Sequence, residues 1–398
     1  MRLLKLKIHG LRAYQTPLDL EFVARQRVVK ENTHLYELLP RVYQNSTLMF
    51  IGDNTSGKTP TIEMISYAMR MLEGMPQSLI RNAKVLDSLS VGDRFHLETY
   101  FMGTSEKLYK LETTIRKDVA FFEEESKFII EQEVLYKKEA SKIRSRKHLF
   151  SFEESVPVLT RKAKGEKLPL DVSIAKDIYQ EEACSMQHLD LITLSEEELL
   201  LEFLSVDQSL LKFTAPLIEK ISLDDAHEVT AVRGVRLKFD DMEPFFLKEK
   251  KELFRYLSPG LMRSTVLLHM ASTVLKHGGY LLVDALEKDL SRDKAVALLR
   301  LFGKPEVNRK GACLLATTLD PDLLDEMERS DSIYLLHHEG GIKVRNLAEL
   351  LTRNDLKKSD VYRSGTLSGT AHLETRFDEL LRHLKEDRQE EPTEKTEG

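Results

Sequence analysis

The chain has 398 residues, of which 41% are hydrophobic and 31% charged, and a net charge of −6. This is the balance of a soluble globular protein with one large head or two domains, and it excludes a whole-chain basic signature for nucleic acid. Two cysteines, Cys184 and Cys313, give no basis for a disulfide framework or a cysteine-built metal site and fit a reducing cytoplasm. The opening residues Met1 to Ile8 alternate charged and apolar side chains, which predicts a strand and not a signal peptide, whose apolar core is continuous. Strands are predicted over 3–9 and 18–23, joined by a turn at Arg12-Ala13-Tyr14-Gln15, and residues 24–46 read as polar and irregular. No apolar run is long enough to span a bilayer, so no membrane contact is expected.

The apolar run Leu48-Met49-Phe50-Ile51 leads into Gly52-Asp53-Asn54-Thr55-Ser56-Gly57-Lys58-Thr59, and a helical pattern follows from Thr61 to Leu72. Strand, glycine-rich turn, Lys-Thr and helix form the phosphate-binding P-loop in its confirming context. Gly52 and Gly57 allow the backbone, including Asn54 and Ser56, to curl its N–H groups around an anion. Lys58 would reach the β- and γ-phosphates of ATP, the Thr59 hydroxyl would ligate Mg²⁺, and the helix N-terminus adds its positive dipole end. Pro60 is tolerated because the first turn has no intrahelical acceptor for its missing N–H.

Gly74 and Pro76 stop this helix. From Phe95 the period becomes two, with a hairpin break at Gly103 to Glu106, which predicts an inserted antiparallel β-meander. A basic run then carries Lys137, Lys138, Lys142, Arg144, Arg146 and Lys147, followed by Arg161, Lys162, Lys164 and Lys167. With little aromatic interleaving, a solvated loop is the plainer reading and DNA contact through 137–167 the sharper one. Residues 170–220 read as mostly helical, with Glu196-Glu197-Glu198 opening a packing helix, and Val229 to Phe239 returns to strand character.

Leu257-Ser258-Pro259-Gly260 opens a predicted helix over Leu261 to Leu275. Gly278-Gly279 then precedes the apolar strand Tyr280-Leu281-Leu282-Val283, which ends in Asp284. Ala312 to Thr318 is another buried-type strand, ending in two hydroxyls. An acid at the C-terminal end of a central parallel strand lies where open α/β sheets place ligands, which makes Asp284 the partner of Thr59 around Mg²⁺.

The order of P-loop, Leu-Ser-x-Gly, apolar strand with Asp and then Thr-Thr resembles the ABC-type ATPase heads of the RecF, SMC and OLD group. Within that group the chain is most similar to the compact AAA-family proteins of bacterial phage defence related to PtuA, AriA and RloA. The likeness covers most of residues 1–365, including Gly10-Leu11-Arg12, Leu257 to Arg263, and Asp331 to Leu336. It implies an α/β, ABC-type P-loop head with a mixed central sheet, an inserted β-meander and a helical subdomain. It also implies a dimer with ATP sandwiched between subunits, where Ser258 and Gly260 of one face the P-loop of the other, with Arg12 near the nucleotide. The expected divisions are 1–94 with the P-loop, 95–165 with the meander and basic loop, 166–228 as helical subdomain, 229–370 as second part of the head, and 371–398 as C-terminal helix and tail. About two hundred residues separate P-loop and signature, too few for a long coiled coil.

The sequence departs from the family pattern where water is activated. Relatives follow the strand-end Asp with Glu; here stands Ala285, whose methyl group cannot orient water or accept a proton. With an extended backbone, Glu287 points to the same side as Ala285 but two residues on, and is expected to substitute poorly. Leu319 and Ser291 stand where relatives carry histidines. His337-His338 lacks further ligands for a metal and reads as a turn. Leu373, Phe377, Leu380, Leu381 and Leu384 suit one amphipathic helix ahead of a charged tail. The expectation is a cytoplasmic, ATP-binding homo-oligomer with weak or lost hydrolysis that controls a separately encoded nuclease or toxin effector in antiphage defence. Its rivals are a RecF-like DNA repair or recombination ATPase and a nucleotide-independent scaffold.

Overall fold

The computed structural model describes residues 1–29, 34–80, 84–118, 127–143, 145–153, 155–164, 168–181, 188–192, 194–223, 234–351, 356–365, 367 and 381–382. The proposed C-terminal amphipathic helix, apart from Leu381, lies outside these residues, as do Cys184, Arg144 and Lys167.

Seventeen strands lie among the described residues. In chain order they are β1 (Arg2–His9), β2 (Leu18–Glu21), β3 (Leu35–Leu39), β4 (Val42–Asn45), β5 (Thr47–Ile51), β6 (Arg94–Met102), β7 (Lys107–Asp118), β8 (Lys127–Glu139) and β9 (Pro157–Thr160). There follow β10 (His188–Asp190), β11 (Ile218–Leu223), β12 (Val235–Phe239), β13 (Phe245–Leu247), β14 (Tyr280–Val283), β15 (Cys313–Thr318), β16 (Ile333–His338) and β17 (Ile342–Asn346).

The central sheet has the order β10-β14-β15-β5-β16-β17, parallel except for β17. Every residue of β5, β14 and β15 is buried, as expected when both faces of a parallel sheet are covered. Side-chain alternation splits them between two cores. Leu48, Phe50, Tyr280, Leu282, Leu315 and Tyr334 face the helix Lys58–Leu72 and the antiparallel sheet. Met49, Ile51, Leu281, Val283, Leu314 and Ala316 face the helices Pro259–His277 and Arg292–Gly303. The result is an α/β head with a mixed central sheet covered on both faces.

The meander, inserted in the chain after the helix Lys58–Leu72, forms one sheet with the N-terminal strands. The second sheet has the order β2-β1-β6-β7-β8-β9, antiparallel throughout, so β6 pairs along β1 from Arg2↔Met102 to His9↔His96. Two buried tyrosines pin it to the central sheet: Tyr280 Oη accepts from Leu3 N (2.7 Å), and Tyr334 Oη accepts from Glu21 N (2.8 Å). Each phenol thereby keeps a partner while its ring fills the core.

Three expectations need correction. Residues 24–46 are not wholly irregular, because 35–45 form the hairpin β3–β4, whose Leu39 and Val42 cover the outer face of the antiparallel sheet with Leu149 and Phe152. The mostly helical segment 170–220 also carries strands, because β10 extends the central sheet and β11 pairs with β12 across the expected boundary at 228. The basic run is not a plain loop either. Lys137 and Lys138 belong to β8, and Lys138 Nζ donates to Ser151 O (2.6 Å) and sits 4.0 Å from the Phe152 ring centre. Burial pushes that ammonium down to about 8. Arg146 pairs with Glu21, and Arg161, 8% exposed, pairs with Glu133 at 2.9 Å. Lys137, Lys147 and Lys162 are exposed. Among the described residues no helix is long and apolar enough to cross a membrane.

Candidate nucleotide site

Strand register assembles the site. Val283 pairs with Ala316, so Asp284 emerges opposite Thr317 at the C-terminal edge; Thr318 pairs with Ile51, the residue before Gly52. The P-loop then turns into the helix Lys58–Leu72, with Gly57 at φ 97° and Thr61 Oγ1 donating to Gly57 O (2.8 Å). Gly74, at φ 80°, closes the far end as expected.

Two features show that the loop needs its glycines. A Cβ at Gly52 would collide with the backbone carbonyl of Leu336 and stand 2.5 Å from Ser56 Oγ; one at Gly57 would meet Ile342 Cδ1 at 2.6 Å. The loop is thus clamped by the β16–β17 hairpin, which no local motif announces. Gly52→Ala is expected to destabilise the fold by about 1–3 kcal/mol through overpacking against an immovable carbonyl. It should weaken ATP binding at the same time, as read by urea denaturation and ATP titration; an unchanged midpoint would refute the close contact.

The expected Mg²⁺ pair comes together across the sheet. Thr59 Oγ1 donates to Asp284 Oδ2 (2.6 Å), Thr317 Oγ1 donates to Asp284 Oδ1 (2.6 Å), and Ala285 N donates to Thr317 Oγ1 (2.7 Å). Thr317 therefore orients the carboxylate that faces Thr59, a role the sequence reading did not assign. Lys58 Nζ folds onto its own loop, donating to Gly52 O (2.6 Å) and Asp53 O (2.7 Å). Burial pulls its ammonium below the usual range, while Glu287, Asp284 and Asp53 pull it back up, in that order. Ser56 is 2% exposed, and its hydroxyl finds no partner among the described residues. A cradle that a Cβ would fill, an orphaned buried hydroxyl, an under-compensated ammonium and a hydroxyl–carboxylate pair fit a nucleotide triphosphate with Mg²⁺: Lys58, Ser56 and the loop for the phosphates, Thr59 and Asp284 for the metal. Asn54 stands exposed at the loop tip.

Other candidate residues fall elsewhere. The Arg12 guanidinium bonds Ser90 Oγ (3.0 Å) and Asp93 Oδ2 (2.7 Å). From the same turn it is Tyr14 whose hydroxyl meets Thr61 Oγ1 on the P-loop helix (2.9 Å), an aromatic the sequence reading passed over. Ser258 caps the helix Pro259–His277, its Oγ accepting from Leu261 N (3.2 Å). Ser258, Pro259 and Gly260 are all exposed, and the space beside Gly260 is open. Ser291 precedes the helix Arg292–Gly303 without capping it. Among the described residues no cluster of three or more His, Cys, Asp or Glu could hold a metal, and His337 is buried in β16 beside Lys343 and Arg345, with burial pulling its pKa down.

The extended backbone assumed for Glu287 is not the one found. Ala285 does not continue the strand; it sits at φ 57°, ψ 74°, and the chain turns at once into the short helix Leu286–Asp289. That turn swings the Glu287 carboxylate onto the end of β15, where it accepts from Thr318 Oγ1 (2.9 Å) and Leu319 N (3.1 Å). A non-glycine residue in the left-handed region is uncommon, and alanine carries no signal for it.

No protein-family model matches the chain, and no curated protein matches it. Among solved structures the fold is similar to the SMC head domain from Thermotoga maritima, at 13% identity and a TM-score of 0.40, over 87% of this chain and 99% of that one. It is also similar to the recombination mediator protein RecF of the RecFOR pathway, at 12% identity and a TM-score of 0.40, over 86% of this chain and 97% of that one.

Proposed function

We propose that the chain is an ATP-holding clamp. It grips the phosphates and Mg²⁺ with a complete P-loop, closes into a homodimer on the bound nucleotide, and hydrolyses it slowly. The observation that carries this reading is the Thr59–Asp284 contact at 2.6 Å beside Lys58, with a methyl group, Ala285, directly after the acid. Gripping and water activation are separable tasks, and this site retains the residues for the first. Dimerisation is supported by the exposed helix start at Ser258 and Gly260, an N-terminus able to meet an anion on a second copy. ATP that bridges two copies favours the closed form by mass action, and closure changes what the head presents to other proteins.

In this reading the output is control of a separate effector, a nuclease or toxin, in antiphage defence, as the family resemblance suggests. A DNA-acting motor draws less support, because Lys138, Arg146 and Arg161 are spent on contacts inside the fold. The test is molar mass by light scattering with and without Mg-ATP, alongside phosphate release. Mass should double on ATP, with turnover far below the usual enzyme rate of about ten per second. An unchanged mass at saturating ATP, or turnover at that ordinary rate, would overturn the clamp.

A further inference from the structure

We propose that Glu287 is the carboxylate that holds and deprotonates the attacking water in this chain's slow ATP turnover, filling from a helical turn the place that Ala285 leaves empty. The inference rests on the clamp reading above. Its basis is geometric. The left-handed backbone at Ala285 ends the strand, and the turn Leu286–Asp289 carries Glu287 back over the strand ends instead of away from them. That turn is rigidly seated: Leu286 is fully buried, and Asp289, 5% exposed, accepts from Arg263 Nε of the signature helix at 2.6 Å. Ala285 N is held by Thr317, the same hydroxyl that orients Asp284.

The carboxylate therefore stands one residue along β15 from the Thr59–Asp284 pair, fixed by Thr318 Oγ1 and the Leu319 amide. Each of its oxygens accepts one of these bonds, which leaves acceptor capacity on both for a water. Glu287 is also, with Asp284 and Asp53, one of the carboxylates whose charge raises the Lys58 ammonium against the effect of burial. Leu319, where relatives carry a histidine, contributes through its backbone N–H. Thr318 and Leu319 thus act as positioning residues for Glu287.

The step balances without another reactant. The water oxygen bonds to the γ-phosphorus as the bond from that phosphorus to the bridging oxygen breaks, and ADP leaves. The proton released by the water passes to Glu287 and from there to the free phosphate.

The test compares the full-length chain with Glu287→Gln and Thr318→Val, each checked for folding by circular dichroism and for ATP affinity by titration. Phosphate release should fall at least tenfold in Glu287→Gln and severalfold in Thr318→Val, while ATP affinity changes less than about threefold. Phosphate release by wild type should show a solvent deuterium isotope effect that is lost in Glu287→Gln, a change that a merely structural role does not produce. Hydrogen exchange at the Leu319 amide should speed up in Glu287→Gln, independently of activity. Wild-type turnover in Glu287→Gln, or no phosphate release from wild type that holds ATP, would overturn the inference. Failure of wild type to bind ATP at all would instead sink the clamp reading, and this inference with it.

Discussion

Replacing Lys58 by alanine is expected to lower ATP affinity by about two orders of magnitude and to abolish ATP-dependent doubling of mass, with the fold intact. The magnitude follows from the lost contacts. A hydrogen bond to a charged group contributes about 1.5–3 kcal/mol, and each 1.4 kcal/mol is tenfold in affinity. Without nucleotide, Lys58 spends its ammonium on Gly52 O and Asp53 O of its own loop. Those carbonyls stand in for phosphate oxygens, and burial leaves the cation short of counter-charge. A bound triphosphate supplies that charge, so the alanine variant loses binding far more than stability. Isothermal titration with Mg-ATP and light scattering on the same samples check both parts. ATP affinity equal to wild type would show that the P-loop is residual and return the nucleotide-independent scaffold as the better account.

Asp331→Ala should produce the largest loss of stability, about 3–5 kcal/mol, without direct damage to the nucleotide site. Asp331 is fully buried and Arg329 is 4% exposed. The pair is bidentate, with Arg329 Nη2 to Oδ2 at 2.6 Å and Nε to Oδ1 at 2.9 Å. The same carboxylate accepts from Arg25 N (2.6 Å) and Gln26 N (2.7 Å), the backbone that follows β2. Removing it strands a buried guanidinium without its counter-charge and leaves two backbone donors unmatched, the situation in which breaking a buried pair is most costly. Urea denaturation followed by circular dichroism measures the effect. A midpoint within error of wild type would mean that water reaches Arg329 and that the pair does not tie the N-terminal strands to the central sheet.

The P-loop was legible because all its parts are contiguous: the apolar run of β5, the glycines at 52 and 57, Lys58, Thr59 and the helix follow within one stretch. Asp284 was legible for a related reason, since a fully apolar strand ending in an acid states its own burial and direction. Thr317 and Tyr14 were not, because their roles depend on which strands neighbour each other. β15 lies between β14 and β5, and only that order sets Thr317 against Asp284. The hairpin at 35–45 was missed because a bulge between Glu37 and Leu39 puts the adjacent Leu38 and Leu39 out of strand alternation; it is held by a hydrophobic face supplied from elsewhere, at Leu149 and Phe152.

The sequence by itself determined the glycine-rich turn at 52–59, the meeting of Thr59 with Asp284, the α/β class and the absence of an acid at 285, because short-range chemistry and side-chain period carry each of these. The tertiary structure decided what stands in that acid's place. An alanine at φ 57° is disfavoured locally by its own Cβ, so nothing in the local sequence announces the turn that carries Glu287 to Thr318 and Leu319. Burial of Leu286 and Asp289 and the bond that Ala285 N donates to Thr317 Oγ1 hold it there, and all three exist only once the strands are side by side.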